Sequence, residues 1–126
     1  MKCVAIGDVA VGKTCLLWTY AEEEFPEDYV PTTFDHYQKN VLVKDTYVGL
    51  QLWDTAGLEA QAEMRKMAYY DTDVFLVLFD ISSRESFQHV ESRWIPELRN
   101  CQQADLLVRS HADNAHAPSL SSASLL

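Results

Sequence analysis

The stretch Gly7-Asp8-Val9-Ala10-Val11-Gly12-Lys13-Thr14 decides the fold. It follows the apolar residues Cys3-Val4-Ala5-Ile6 and precedes Cys15-Leu16-Leu17-Trp18-Thr19-Tyr20, which have a helical pattern. Strand, loop and helix in this order, with the spacing G-x-x-x-x-G-K-[ST], predict a P-loop. The alternative is a chance glycine-rich turn, which the flanking strand and helix disfavour.

Each residue type in this loop suits phosphate binding. Backbone N–H groups surround the β-phosphate, glycine allows close approach, and the helix N-terminus adds the positive end of its dipole. Lys13 is predicted to supply a cation to the β- and γ-phosphates, and the Thr14 hydroxyl to hold Mg²⁺. The predicted phosphate-contacting residues here are Gly7, Asp8, Val9, Ala10, Val11, Gly12, Lys13, Thr14 and Cys15.

Composition narrows the class of protein. The 126 residues predict one domain with a single core. A net charge of −9 argues against a general nucleic-acid or anionic-membrane binder. Cys3, Cys15 and Cys101 lack paired or metal-ligand spacing, so reduced thiols in a cytoplasmic protein are expected. No signal peptide and no apolar run of membrane-spanning length is apparent in the sequence.

Two predicted strands lead to a second phosphate-site motif. Asn40–Val43 and Tyr47–Trp53 are predicted to form a hairpin with a turn at Lys44-Asp45. The second strand runs into Asp54, where a water-mediated Mg²⁺ ligand is expected, and the alternative role of Asp54 is a helix or turn cap. Gly57 is predicted to offer its amide to a γ-phosphate, because no side chain blocks the approach.

An irregular loop is predicted over Phe25–Asp35, because it contains two prolines, polar residues and exposed aromatic residues. Such a loop can be ordered by a γ-phosphate and released when the phosphate leaves. Thr32 is the residue expected to close on Mg²⁺. The alternative is an ordinary surface connection.

The segments GDVAVGKT, FPEDYVPTTFDHY, LQLWDTAGLE, YYDTDVFLVLFDISSRESF and RWIPEL resemble, in order and spacing, the first part of a Rho-family small GTPase. The resemblance runs from residue 2 to about 101. It implies an α/β P-loop NTPase fold, a Ras-like G domain with a mostly parallel sheet around a GTP–Mg²⁺ site. It also implies that Phe25 packs on guanine and that Tyr29 lies near the phosphates.

The resemblance further implies function and partners. The expected function is a GTP/GDP switch in signalling to the cytoskeleton. Effectors, exchange factors and activating proteins are expected to bind Phe25–Tyr37 and Ala56–Tyr70. The residues expected to take part in hydrolysis are Lys13, Thr32, Gly57 and the residue at position 58, and the expected Mg²⁺ ligands are Thr14, Thr32 and Asp54.

The next segment fits an α/β fold. Val74–Asp80 is a continuous apolar run, typical of a buried parallel strand. Ser82 and Glu85 have capping-box spacing for a following helix. Its residues predicted to face the sheet are Phe87, Val90, Trp94 and Leu98. Pro96 is expected to kink or end that helix.

Two positions depart from the Rho-family pattern. The third residue of the phosphate loop, typically glycine, is Val9, and the water-orienting glutamine after Asp-Thr-Ala-Gly is Leu58. Leucine has no donor or acceptor to position water, and valine adds bulk where an arginine finger must fit. We therefore expect impaired hydrolysis with phosphate and Mg²⁺ contacts retained. The alternative is that both changes are neutral.

The last part of the chain departs further. We expect a partial G domain over residues 1–108, ending in a strand at Asp105–Val108, and an unrelated disordered tail over 109–126. Asp113 falls where the guanine-reading carboxylate of the family lies, but His111 stands in place of the lysine. A working and an accidental match both stay open.

The chain is expected to be truncated or to carry an alternative ending, without the last strand and helix or a prenylation motif. Apolar strand surface beside the P-loop helix is then expected to remain exposed, and stability to be marginal.

Three functions stay open on this sequence. The first is a hydrolysis-impaired GTP-binding switch, and the second is an active GTPase that uses other groups for turnover. The third is a non-enzymatic fragment with little nucleotide binding that competes for Rho-family partners. A different P-loop class, such as a small-molecule kinase, is disfavoured because Asp54–Gly57 would have no role in it.

Overall fold

The computed structural model describes residues 1–26, 34–101 and 105–111, with the backbone alone for Phe34 and for 105–111. In chain order the elements are β1 (Lys2–Gly7), α1 (Lys13–Glu22), β2 (Phe34–Val43), β3 (Thr46–Thr55), a 3₁₀ turn (Glu59–Gln61), α2 (Ala62–Met67), β4 (Val74–Asp80), α3 (Arg84–His89), a π-helical segment (Val90–Trp94), α4 (Ile95–Asn100) and β5 (Asp105–His111).

These strands form one sheet in the order β2-β3-β1-β4-β5. β2 pairs antiparallel with β3, and the other neighbours are parallel, which confirms the mostly parallel α/β sheet. Ala5 lies opposite Asp54, so β1 and β3 reach their carboxyl ends side by side. Loops that leave the carboxyl ends of adjacent parallel strands share one edge of the sheet, where ligands bind in such folds.

The predicted hairpin forms. Lys44 and Asp45 have φ values of 46° and 65°, and these two positive values bring Val43 opposite Thr46 in a tight turn. β2 is longer than predicted, because the ladder with β3 continues to Phe34 opposite Thr55. The prediction that Phe34 and Asp35 belong to an irregular loop is therefore wrong. Polar side chains are tolerated there because β2 is an edge strand.

The core lies on both faces of the sheet. Successive side chains of a strand point to opposite faces, so Val4 and Ile6 lie on one face and Cys3 and Ala5 on the other. One buried cluster, below the helical segments after β4, contains Val4, Ile6, Ala68, Tyr69, Phe75, Val77, Val90, Trp94 and Leu98. The other, below α1, contains Cys3, Ala5, Val11, Leu17, Leu52 and Leu78.

The α1 face is the less complete of the two. In β4, Phe75 and Val77 are fully buried on the opposite face, whereas Val74 and Leu76 are only half-buried beside the α1 cluster. Among the described residues, no helix has the length and apolar character needed to cross a membrane.

The N-terminus of α3 differs from its prediction by one residue. Ser83, not Ser82, is the cap, and its side chain accepts a hydrogen bond from the Ser86 backbone N–H at 3.2 Å. Ser82 instead donates its N–H and its hydroxyl to Asp80 Oδ1, both at 2.7 Å. Because Ser82 is hydrogen-bonded to Asp80, Ser83 caps the helix instead, and α3 begins one residue later than predicted.

Phe87 was predicted to face the sheet, and this is wrong. It is 57% exposed and packs at the rim, edge-on against Phe79 with ring centroids 5.0 Å apart. The buried positions are instead Ser86, Val90, Trp94 and Leu98. Residues that are four positions apart rotate gradually around a regular α-helix, because it has 3.6 residues per turn. The wider π-helical turn at Val90–Trp94 reduces this rotation and keeps the buried positions on one side.

Pro96 does not end the helix. It lies in the first turn of α4, and the helix runs on to Asn100. The π-helical segment just before it accommodates the interruption of the hydrogen-bond ladder.

Candidate functional site

The backbone of the loop between β1 and α1 has the shape that phosphate binding requires. Gly7, Ala10 and Gly12 all have positive φ values, of 146°, 64° and 87°. A Cβ atom on Gly7 would lie 2.3 Å from the Leu78 carbonyl oxygen, so glycine is the residue that fits there. Gly12 is the N-cap of α1 without any side-chain cap, which leaves first-turn N–H groups available to an anion.

Lys13 lies inside this loop. Its side chain is buried, and Nζ donates to the carbonyl oxygens of Gly7 at 2.9 Å and Asp8 at 2.6 Å. Burial lowers the pKa of Lys13 to about 8, although Asp54 and Asp8 act in the opposite direction. The two carbonyl oxygens supply the hydrogen bonds that a buried ammonium group needs.

This burial predicts a pH dependence of stability. In the unfolded chain the pKa of Lys13 is near 10.5, and in the fold it is about 8. Below pH 8 both states are protonated and the burial penalty is present in full. Between pH 8 and pH 10.5 the unfolded state binds more protons than the folded state. The free energy of unfolding is therefore expected to rise with pH, by about 3 kcal/mol over this range.

Urea unfolding of the nucleotide-free protein and of Lys13→Met, between pH 7.5 and 10.5, measures this effect. The rise should be present in the parent and absent in the variant. The difference between the two curves removes other titrations, such as that of Tyr37, whose pKa burial raises to about 12. Parallel curves would contradict the prediction.

Thr14 and Asp54 meet at the carboxyl edge of the sheet. Thr14 Oγ1 donates to Asp54 Oδ2 at 2.5 Å, and Asp54 is fully buried at the end of β3. Hydroxyl and carboxylate oxygens are the ligand types of Mg²⁺. Among the described residues no group of three or more His, Cys, Asp and Glu could hold a metal. Mg²⁺ in proteins keeps several waters and binds through one or two carboxylates plus substrate phosphates.

Gly57 touches the phosphate loop directly. A Cβ atom there would lie 2.5 Å from Asp8 C, 2.5 Å from Val9 N and 2.6 Å from Gly7 O. Only a residue without a side chain permits this approach. The structure therefore places Gly57 against the phosphate loop, and the prediction that its amide binds a γ-phosphate stays a prediction.

The two unusual residues lie beside this contact. Val9, in the phosphate loop, is 49% exposed, and Leu58, the residue after Gly57, is 52% exposed. Both side chains are accessible from solvent at the same edge of the sheet. Cys15 lies half-buried in the first turn of α1.

Of the predicted site residues Phe25, Tyr29, Thr32 and Asp113, the structure describes Phe25 alone. Phe25 is 68% exposed in the chain after α1. Tyr29, Thr32 and Asp113 lie outside the described residues. β5 extends to His111, three residues beyond the predicted strand end at Val108.

Sequence reasoning missed the contacts that reach the loop from the helical segments after β4. The carboxylate of Asp8 accepts from Trp94 Nε1 at 2.8 Å and lies 2.6 Å from His89 Nδ1. Trp94 was correctly predicted as a core residue, and it is fully buried. The apolar stripe did not indicate that the indole N–H of Trp94 forms a hydrogen bond. The available signal was Asp8, because a carboxylate inside a phosphate-binding loop needs a hydrogen-bond donor.

Comparison with known families agrees with this geometry. Residues 2–122 match the Ras family. The chain therefore belongs to the Ras family of small GTPases, switches that bind GTP and GDP, typically with Mg²⁺, and that engage regulators and effectors.

Proposed function

We propose that the chain is a Rho-type, cytoplasmic member of this family, a GTP- and Mg²⁺-binding switch in signalling to the cytoskeleton with impaired hydrolysis. The observation that carries the binding part is the meeting of Lys13, the Thr14–Asp54 pair and Gly57 at one edge of the sheet. The Rho-type part rests on the sequence segments quoted above.

Each group of the site has a separate task in the proposed binding. Backbone N–H groups at the start of α1 hold the β-phosphate, and Lys13 moves its bonds from the Gly7 and Asp8 carbonyls to phosphate oxygens. Thr14 and Asp54 hold Mg²⁺, directly or through water. When bound, Mg²⁺ neutralises charge on the phosphates.

Impaired hydrolysis follows from two side chains. An attacking water must be oriented by a hydrogen-bonding group, and Leu58 has none to offer at the position after Gly57. Val9 places an exposed branched side chain on the phosphate loop, where an arginine finger would approach. Binding depends on groups that these residues leave in place, so we propose a switch held in its GTP form.

The proposed partner surfaces are Phe25–Tyr37 and Ala56–Tyr70. In the second surface Met64 is 49% exposed, and Met67 and Tyr70 are each 79% exposed. Exposed methionine and aromatic side chains are typical of interaction surfaces. We propose that effectors, exchange factors and activating proteins bind there.

The same surface supports a second candidate function. Met67 and Tyr70 are exposed and lie outside the phosphate loop and the predicted guanine-reading residues, so this alternative does not depend on a complete guanine site. In that alternative the chain is a non-enzymatic competitor for Rho-family partners.

Nucleotide selectivity separates the two candidates. We expect weak affinity and poor discrimination between GTP and ATP, because His111 replaces the guanine-reading lysine. A site that hydrogen-bonds guanine rejects adenine, because bound adenine would leave polar groups of the site unmet, and the replacement at His111 weakens this discrimination. A ligand bound only by the native state raises the unfolding temperature.

Thermal unfolding with Mg²⁺ alone, Mg²⁺–GTP and Mg²⁺–ATP, together with nucleotide analysis of the purified protein, tests this. Small, similar shifts with both nucleotides are expected. A large shift with GTP alone would overturn the selectivity prediction and establish a competent guanine site. No shift and no copurified nucleotide would instead favour the competitor.

A further inference from the structure

Three successive carbonyl oxygens of the segment after β3 are bonded by two arginines. Arg65 Nη1 donates to Ala56 O at 2.9 Å and to Leu58 O at 3.0 Å. Arg93 Nη2 donates to Gly57 O at 3.0 Å. The backbone on both sides of Gly57 is thus fixed by guanidinium groups from two different helical segments, α2 and the π-helical segment.

The indole of Trp94 lies against both guanidinium groups. The ring centroid is 4.8 Å from Arg65 Cζ and 4.3 Å from Arg93 Cζ. Guanidinium groups at these distances are attracted to the ring face. The same indole donates Nε1–H to Asp8 Oδ1 at 2.8 Å. One buried side chain therefore joins the phosphate loop to the arginines that hold Ala56–Leu58.

Both arginines are themselves held in place. Arg65 is almost fully buried and forms a bidentate pair with Glu97, at 2.9 Å and 2.8 Å. Hydrogen bonds from Arg65 and Tyr69 hold the pKa of Glu97 below its usual value, although burial acts against this. Arg93 Nη2 pairs with Glu59 at 2.8 Å. The planar fork of arginine makes such multiple contacts without rearrangement.

We infer that Arg65, Arg93 and Trp94 are positioning residues that aim the Gly57 amide at the γ-phosphate position. In a planar trans peptide the carbonyl and the following N–H point in opposite directions. The bond from Arg65 to Ala56 O therefore turns the Gly57 N–H away from that arginine, and the bond from Arg93 to Gly57 O fixes the peptide on the other side of the same residue. Gly57 itself is in contact with Asp8 and Val9 of the phosphate loop.

This inference rests on the proposed function, and it predicts a selective effect. GDP has no γ-phosphate, so its affinity does not depend on the Gly57 amide. GTP gains that hydrogen bond only when the amide is already oriented, since an unoriented donor must first be ordered. Loss of the positioning contacts should therefore weaken GTP binding and leave GDP binding unchanged.

The test compares Arg93→Ala with Arg99→Ala, a matched control at an exposed arginine of α4. Dissociation constants are measured with Mg²⁺ for GDP and for a non-hydrolysable GTP analogue. In Arg93→Ala the affinity for the analogue relative to GDP is expected to fall about tenfold, the size of one hydrogen bond to a charged group. Arg93→Lys should restore part of this ratio, and Arg99→Ala should not alter it.

A general loss of structure would weaken both nucleotides equally, and equal weakening would overturn the inference. If the parent protein binds neither nucleotide, the proposed function fails, and a second measurement still decides the positioning role. Hydrogen exchange of the nucleotide-free protein should accelerate in residues 57–61 of Arg93→Ala while β1 and β4 stay protected. Unchanged exchange in residues 57–61 would overturn the inference on its own.

Discussion

Replacement of Lys13 by alanine is expected to abolish retention of guanine nucleotide. The ammonium group of Lys13 is the buried cation of the phosphate loop, bonded to two loop carbonyl oxygens. Loss of its charge-assisted bonds to the β- and γ-phosphates is expected to weaken binding by at least about 100-fold. Nucleotide content after purification and the release rate of a fluorescent GDP measure the effect.

Lys66→Ala is the control, because Lys66 is an exposed lysine of α2 that pairs with Glu63. It should retain as much nucleotide as the parent. Lys13→Ala should also remain folded, since it removes a charge whose burial is unfavourable. If Lys13→Ala retained as much nucleotide as the parent, Lys13 would not be a phosphate-binding residue and the assigned phosphate site would be wrong.

The double reversion Val9→Gly with Leu58→Gln is expected to raise single-turnover GTP hydrolysis. Glutamine at position 58 supplies the amide that orients water, and glycine at position 9 clears the approach of an arginine finger. In this class of enzyme an arginine finger contributes about 10³–10⁵ in rate. We therefore expect the largest gain with a Rho-type activating protein present and a smaller gain without it.

The matched control replaces Leu58→Gln by Leu58→Met in the same Val9→Gly background. Methionine has a similar length but no amide, so this variant should stay slow. Equal rates for the double reversion and the parent, at saturating GTP, would show that positions 9 and 58 do not limit turnover.

The sequence predicted the parts of the site that depend on local motifs. The phosphate loop needs glycine at particular backbone angles and a lysine at a set distance from it, so Gly7, Gly12 and Lys13 are recognisable from spacing alone. Asp54 was recognisable because it follows an apolar strand, and parallel strands end at a common edge. These predictions required no knowledge of packing between distant segments.

The contacts of the helical segments after β4 could not be predicted in this way. Phe87 and Trp94 both fit an apolar stripe, and only the π-helical turn and the hydroxyl bonds of Ser86 decide which of them is buried. Arginine is most often found at the protein surface, so nothing in the sequence marks Arg65 and Arg93 as contacts of the site. Their roles depend on carbonyl groups of Ala56–Leu58, which come close only after the sheet and helices have packed.

The contact between Gly57 and the phosphate loop has a consequence for how this site tolerates change. Main-chain atoms meet main-chain atoms there, with no room for a Cβ between them. A shift of the phosphate loop must therefore displace the segment after β3, because no deformable side chain lies between to absorb it. Side chains on either side, such as Val9 and Leu58, can be exchanged without separating the two segments. We therefore expect substitutions at positions 9 and 58 to change turnover without disturbing this main-chain contact.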